Sequence, residues 1–191
     1  MGIKINILDI LISQSVIVKI KLVNYVLYII KQTWRFLMNH SNTLSKSFLY
    51  SIIIIVLGSI SSFLVPIFSN MSIKDIYSSL SLPAISPPNW IFGPVWIILY
   101  ILLGIYLANS NKHNVKLNWL MYIQLILNFI WTPIFFGTGN YLLASIIIVL
   151  MDVFTLIIFY KDRSNHKYLL LPYIVWILFA TYLTISVFIM N

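Results

Sequence analysis

Five apolar stretches of about twenty residues restrict the fold of this chain more than any other feature. They lie at 48–68, 90–109, 118–136, 140–160 and 168–190. A helix of about 20 residues spans the roughly 30 Å hydrocarbon core of a bilayer. Because lipid offers no hydrogen bonds, a crossing segment must pair its own backbone groups, as a helix does. The pattern predicts an all-α fold, an integral membrane bundle of five transmembrane helices within residues 48–191.

Composition and charge favour the same environment. The chain is 61% hydrophobic and only 8% charged, which leaves too few polar side chains to cover a water-soluble globule of 191 residues. Its 12 Lys and Arg against 4 Asp and Glu give a net charge of +8. In a membrane protein this excess indicates topology and contact with anionic headgroups. We therefore expect membrane lipids as partners, and no nucleic acid.

The distribution of basic residues predicts the orientation. Eleven of the twelve lie before the first span or in the connections at 110–117 and 161–167, and the twelfth is Lys74. Basic residues collect on one side of a membrane. We expect the N-terminus and these two connections on one side, and Asn191 on the other.

Residues 1–47 are predicted to be a basic, partly amphipathic N-terminal extension. A sixth span at 7–30 would place Lys19 and Lys21 in hydrocarbon, at a cost of about 2.5–3.5 kcal/mol each. An interfacial helix around 16–38 is the favoured interpretation. The alternative is a targeting segment, which is also basic and poor in acidic residues.

Three of the predicted spans carry polar and aromatic residues at helical spacing, so that each set lies on one helix face. The sets are Trp96 and Tyr100 on the second span, Gln124, Asn128, Trp131 and Phe135 on the third, and Tyr173, Trp176, Ala180 and Thr184 on the fifth. If these faces converge, they line a cavity suited to a flat, mostly apolar ligand. The alternative is that the tryptophans fill a core or form interfacial belts, and spacing alone does not separate the two.

The first and fourth spans carry isolated small or polar residues. Ser51, Gly58 and Ser62 share one side of the first span, which predicts a seam where another helix packs closely. Asp152 lies in the middle of the fourth span, where a carboxyl is costly unless it is protonated or paired. We expect a neutral acid hydrogen-bonded to a neighbouring helix, with a proton-relay or ligand role as the alternative.

Histidine positions limit the metal chemistry. His40, His113 and His166 all lie outside the predicted spans, so none is at a depth where it would ligate haem iron. The chain has no cysteine, and it contains no phosphate-binding loop, nucleophile elbow or paired carboxylates. We predict no catalytic residues, no metal site and no obligatory cofactor.

Three motifs, in order along the chain, are similar to those of a known family. They are PAISPPNWIFGPVW at 83–96, LNFIWTPIFFG at 127–137 and LPYIVWILFA at 171–180. Together they resemble the second, third and fifth helices of the translocator-protein family, also called tryptophan-rich sensory proteins or the peripheral-type benzodiazepine receptor family. The resemblance covers about 48–190.

The resemblance implies a homodimeric five-helix protein in a bacterial membrane or in an organelle membrane such as the mitochondrial one. It also implies a cavity beneath the loop after the first helix. The cavity is expected to take protoporphyrin IX or haem, and a sterol is a further candidate from eukaryotic members. Trp96 and Trp176 match the family's cavity tryptophans, and Tyr100, Asn128 and Ala180 match cavity-lining positions. With the helical stripes and the Pro-Pro-x-Trp motif added, the predicted ligand-binding residues are Trp90, Trp96, Tyr100, Asn128, Trp131, Tyr173, Trp176 and Ala180.

The loop after the first span departs from the family's pattern. The family reads Trp-Tyr there and later Lys-Pro, whereas this chain has Ile76 before Tyr77 and Leu82 before Pro83. Ile85 stands where another loop tryptophan is common. The C-terminal residues also lack the Tyr and Lys or Arg of the proposed sterol motif, which is a weak pattern in any case.

The sequence therefore favours a membrane protein that binds tetrapyrroles, or similar flat hydrophobic ligands, in a sensing, trafficking or detoxification role. Two alternatives stay open. One is an enzyme that degrades porphyrin in light, and the other is a membrane interaction scaffold whose basic N-terminal segment recruits partners.

Overall fold

A computed structural model describes residues 43–110 and 115–191. The predicted interfacial helix at 16–38 lies outside the described residues, as does most of the extension 1–47. The division of the chain at residue 47 therefore stays a prediction, although the helix of the first span is already formed at Thr43.

Five helical segments in the described residues are long and apolar enough to cross a membrane. The elements are α1 at Thr43–Ser69, a short α2 at Ile73–Ser79, α3 at Phe92–Ser110, α4 at Val115–Thr132, α5 at Tyr141–Lys161 and α6 at Leu171–Met190. Single turns extend three of them: a 3₁₀ turn at Asn89–Ile91 before α3, a π-helical turn at Pro133–Gly137 after α4 and a 3₁₀ turn at Asn165–Leu170 before α6. This confirms the predicted all-α membrane bundle, and every span begins and ends within five residues of its predicted bounds.

The helix ends are marked by residues that suit them. Asn70 follows α1 with φ of 57°, a left-handed conformation that asparagine tolerates at a helix C-terminus. The Ser72 hydroxyl accepts a hydrogen bond from the Asp75 amide and so caps α2. Gly139, with φ of 65°, and the N-cap Asn140 make the tight connection from α4 to α5.

Small residues let α1 lie directly against α3. The Ser51 hydroxyl donates to the carbonyl of Ile101 at 3.1 Å, and a Cβ added at Gly104 would lie 2.6 Å from Ser51 Cα. One turn further along the bundle, Gly58 lies against the Tyr100 ring. Ser51 and Gly58 therefore form the packing seam that the sequence predicts, in keeping with the close helix approach that small residues permit in membranes.

The end of the bundle formed by the C-terminus of α3 and the Asn165–Leu170 turn is closed, and among its described buried polar side chains only the Ser164 hydroxyl lacks a hydrogen-bond partner. Tyr106 is 1% exposed and donates its hydroxyl to Asp162 at 2.9 Å. Ser110 donates to the Asn118 side chain at 2.8 Å, and both residues are buried. We call this region the closed end.

Large apolar side chains cover the outer faces of the bundle. Phe63 is 76% exposed, Ile67 70% and Val175 68%. In water such surfaces would be a liability, but in a bilayer they are the faces that contact lipid. Lipid contact is thus a direct consequence of the fold.

Candidate functional site

At the other end of the bundle the helices enclose a cavity of about 680 Å³. Its walls come from α1, α2, α3, α4, α6, the π-helical turn after α4 and the segment between α2 and α3. The volume lies in the range of roughly 300–1,000 Å³ that small-molecule sites occupy. We call this region the cavity end.

Six of the eight predicted ligand-binding residues line the cavity. They are Trp90, Trp96, Tyr100, Trp131, Trp176 and Ala180. Four of the six tryptophans in the chain are therefore on one cavity, although they come from three different helical segments. Trp90 is 70% exposed and lies at the rim, whereas Trp96 and Trp176 are half-buried.

The other two predicted residues, Asn128 and Tyr173, lie one layer behind the cavity wall. Tyr100 donates its hydroxyl to the Asn128 side-chain oxygen at 2.9 Å, and the Asn128 amide donates to the Tyr173 hydroxyl at 3.1 Å. The Gln124 amide also donates to Tyr173. This network joins α3, α4 and α6 and fixes the Tyr100 ring, so that Asn128 and Tyr173 support the wall. Direct contact of either residue with a ligand stays a prediction.

The π-helical turn brings two consecutive phenylalanines onto the cavity. Pro133 lacks a backbone N–H, and Thr138 N bonds to the Pro133 carbonyl at 3.0 Å, which closes a wider turn. Phe135 and Phe136 then both pack on Trp131, at centroid distances of 4.9 and 6.1 Å. In a regular α-helix the side chain five residues after Trp131 would lie about 140° around the helix from it, and the wider turn reduces this angle so that Phe136 also packs on Trp131.

A row of edge-to-face rings connects the loop after α1 to α6. Tyr77 packs on Phe92 at 5.3 Å, and Phe92 packs on Trp176 at 6.0 Å. The Tyr77 hydroxyl donates to the Pro87 carbonyl at 2.8 Å. Partial burial raises the pKa of the Tyr77 hydroxyl above its ordinary value, so it stays protonated and able to donate at neutral pH. These contacts hold the loop over the cavity.

Three of the aliphatic hydroxyl groups on the cavity are satisfied within their own helices. Ser59, Ser62 and Thr184 each donate to the carbonyl four residues earlier, at 2.8, 3.2 and 2.8 Å. In contrast, the indole nitrogens of Trp131 and Trp176 are buried and have no hydrogen-bond partner among the described residues. An unpaired donor in an apolar site costs about 1–3 kcal/mol, so the indoles of the cavity wall are held at some cost in stability.

Comparison with known proteins identifies the family. A model of the TspO/MBR family matches residues 50–190, which is most of the chain. The chain belongs to the TspO/MBR family.

Members of the TspO/MBR family from distant organisms are similar to it. The Tryptophan-rich protein TspO of Archaeoglobus fulgidus is 36% identical over 65% of this chain and 85% of its own length. The human Translocator protein is 34% identical over 58% of this chain and 72% of its own length. The Tryptophan-rich sensory protein of Cereibacter sphaeroides is 29% identical over 55% of this chain and 70% of its own length. This chain is thus a multi-pass integral membrane protein of the TspO/MBR family.

The loop that departs from the TspO/MBR pattern still closes the cavity. Tyr77 and Leu82 line it, whereas Ile85, which stands at a position where a tryptophan is common, is 69% exposed and does not. Lys74, at the start of α2, lines the cavity and is exposed. The loop therefore contributes one aromatic ring and one charge to the site.

Sequence reasoning missed the contribution of α1 to this TspO/MBR cavity. Ser62 was assigned to the packing seam together with Gly58, but both lie on the cavity, and Ser59 beside them does too. Gly58 was the feature of the sequence that could have indicated this contribution. A residue without a side chain opposite Tyr100 leaves room for a ligand as well as for a neighbouring helix. Lys74, Phe92 and Phe136 were also missed.

Asp152 lies outside the cavity lining but is held between helices as predicted. It is 7% exposed and accepts a hydrogen bond from the Thr181 hydroxyl of α6 at 2.6 Å. Its other oxygen is buried without a partner among the described residues. The described residues contain no cluster of His, Cys, Asp or Glu suited to a metal ion.

Proposed function

We propose that this TspO/MBR protein binds a flat aromatic ligand of the tetrapyrrole class, protoporphyrin IX or haem, in the cavity at the end of the bundle, in a sensing, trafficking or detoxification role. The observation that carries the proposal is the convergence of Trp90, Trp96, Trp131 and Trp176 on one cavity of about 680 Å³. The resemblance of the motifs to a tetrapyrrole-binding family supports the same ligand class.

Aromatic walls suit a planar macrocycle for a physical reason. Rings that stack or meet edge to face contribute about 0.5–1.5 kcal/mol per pair beyond the burial of apolar area. Trp176 and Trp131 come from different helices and both line the cavity, so a ligand between them gains ring contacts from two sides. A flexible aliphatic ligand would gain the burial but not the ring contacts.

The lining residues favour recognition of the macrocycle over recognition of a metal. In the described part of the chain no histidine, cysteine or methionine lines the cavity, so these usual axial ligands of haem iron are lacking. Haem and metal-free porphyrin are then expected to bind with similar affinity.

The test is a titration of the purified protein in nanodiscs with protoporphyrin IX, haem and a sterol. Trp176→Ala should weaken porphyrin binding about tenfold, since it removes a stacking partner and part of the buried area, and about 1.4 kcal/mol corresponds to a factor of ten. Trp119→Ala is the matched control, because Trp119 is 65% exposed and does not line the cavity.

The readout is the absorbance of the porphyrin rather than protein fluorescence, so that the lost fluorophore does not matter. Equal affinities for Trp176→Ala and Trp119→Ala would refute the site. Recovery of chemically altered porphyrin after illumination would favour the degrading enzyme over a binder. The homodimer that the resemblance implies stays a prediction, which sedimentation of the same preparation tests.

A further inference from the structure

We propose that the cavity selects ligands that carry an acidic group beside their flat apolar body, and that Lys74 is the residue that recognises this group. The inference rests on the proposed function and narrows its ligand class. Of the described residues that line the cavity, Lys74 is the one with a charged side chain.

The position of Lys74 is held by its neighbours in α2. Ile73 and Lys74 lie four and three residues before Tyr77, on the same side of α2, and all three line the cavity. Tyr77 fixes that face through its ring contact with Phe92 and its hydrogen bond to Pro87. α2 is thus held at the rim of the cavity, where Lys74 and Trp90 are both exposed.

Lys74 is not committed to a partner within the described part of the chain. The adjacent carboxylate of Asp75 accepts a hydrogen bond from the Ser72 hydroxyl at 2.6 Å and belongs to the cap of α2. Lys74 makes no ion pair with any described residue. Its charge is therefore available to a ligand.

The distribution of charge along the chain makes Lys74 unusual. Between Lys46 and Lys112 it is the only basic residue. The other eleven basic residues lie in segments that are predicted to be on the opposite side of the membrane, because basic residues collect on one side. Orientation of the helices in the membrane thus gives no reason for a cation at this point. A ligand with a negative group does.

The geometry also says which part of the ligand is acidic. The inner walls are aromatic and aliphatic, and a charge left among them without a partner would be costly. An acid at the rim instead stays close to both water and the ammonium group of Lys74. The ligand that fits is one whose rings enter the cavity and whose carboxylate remains at the mouth.

The experiment compares acids with their neutral esters in nanodiscs of zwitterionic lipid. The probes are protoporphyrin IX with its dimethyl ester, and pyrenebutyric acid with its methyl ester. Because the ester partitions more strongly into lipid, the measured quantity is the acid-to-ester affinity ratio in each variant relative to the wild-type protein. The pyrene pair tests the acidic group without a tetrapyrrole.

Lys74→Met, which keeps an unbranched apolar stem, should lower this ratio about threefold to tenfold, as expected for a partly exposed ion pair beside a low-dielectric wall. Lys74→Arg should retain the ratio. Lys161→Met, at the closed end, is the control that removes the same charge far from the cavity. In about 1 M salt the wild-type ratio should fall toward that of Lys74→Met because the charge is screened.

An unchanged ratio in Lys74→Met for both pairs would overturn the inference, and the proposed function would stand if both porphyrins still bound. If neither porphyrin binds, the proposed function fails and the pyrene pair decides the role of Lys74 by itself. If none of the four probes binds, both proposals fail.

Discussion

The closed end and the cavity end share helices but differ in their polar groups, and at the closed end only the Ser164 hydroxyl is buried without a hydrogen-bond partner among the described residues. At the closed end, Tyr106 is paired with Asp162, and Ser110 is paired with Asn118. At the cavity end, the buried indoles of Trp131 and Trp176 have no partner among the described residues, and the helices leave about 680 Å³ between them. Since an unpaired buried donor costs about 1–3 kcal/mol, the cavity end gives up stability that the closed end retains.

The hydrogen-bond network of Gln124, Asn128, Tyr173 and Tyr100 separates these two regions. It is buried, it ties three helices together, and it ends on the Tyr100 ring that forms part of the cavity wall. The closed end and this network therefore contain the hydrogen bonds that join buried side chains of different segments in this part of the bundle. The cavity end is then free to be shaped by its ligand.

The largest effect on stability is expected where α1 meets α3, on the closed side of the network. Gly104→Ala would place a Cβ against the backbone of Ser51, which has no flexible end that can move aside. Overpacking of this kind costs roughly 1–3 kcal/mol, and we expect a loss of about 2 kcal/mol in the free energy of unfolding. Thermal unfolding in mild detergent measures it.

Gly93→Ala is the control for this substitution. Gly93 lies at the cavity end, and a Cβ there would meet nothing within 4 Å. Alanine is also the better helix former, so Gly93→Ala should be neutral or slightly stabilising. If the two variants unfold at the same temperature, the closeness of α1 and α3 is not what stabilises this region.

A smaller effect is expected from breaking one hydrogen bond at the closed end. Tyr106→Phe removes the hydroxyl that donates to Asp162 and leaves a buried carboxyl oxygen without that donor. The expected cost is about 1 kcal/mol. Tyr160→Phe, at a side chain that is 87% exposed, should cost nothing measurable. Equal unfolding temperatures for these two variants would mean that the polar pairing of the closed end does not contribute to stability.

The smallest effect on stability is expected from filling the cavity. Ala180→Phe adds a ring to the cavity wall on α6, and because the ring can extend into empty space, the free energy of unfolding should change by less than about 1 kcal/mol, the lower end of the cost of overpacking a filled core. Porphyrin binding should be lost because the ring occupies the site. Leu178→Phe, on an exposed face of the same helix, should bind as the wild type does. A strong loss of stability in Ala180→Phe would show that the cavity end is packed as tightly as the closed end.

Much of the architecture could be predicted from local sequence because the bilayer imposes it. The hydrocarbon thickness sets the length of each span, and the need to pair backbone groups makes each span a helix. The bounds of α3 and α5 differ from the prediction by only one or two residues at each end. The convergence of Trp96 and Trp176 was also predicted, since each lies at helical spacing from other cavity residues.

Predictions that assumed one regular helical period were less complete. Tyr173 and Trp176 share a stripe on α6, yet Tyr173 faces the Gln124 and Asn128 amides of α4, whereas Trp176 lines the cavity. Phe136 was missed because the π-helical turn changes the period after Pro133. The residues of α1 on the cavity were missed because a small residue that admits a neighbouring helix looks the same in sequence as one that admits a ligand.

The sequence by itself determined the five spans, their helical structure and the family, because these depend on hydrophobicity and on motifs that are local in the chain. Only the tertiary structure decided which buried polar groups are paired and which are not. Pairing depends on where atoms of different helices meet, as Tyr106 and Asp162 do from positions 56 residues apart. Lys74 lies on the cavity because α2 packs over α3, as the contact between Tyr77 and Phe92 shows. An irregular loop joins these two helices, so the tertiary structure also decided this position.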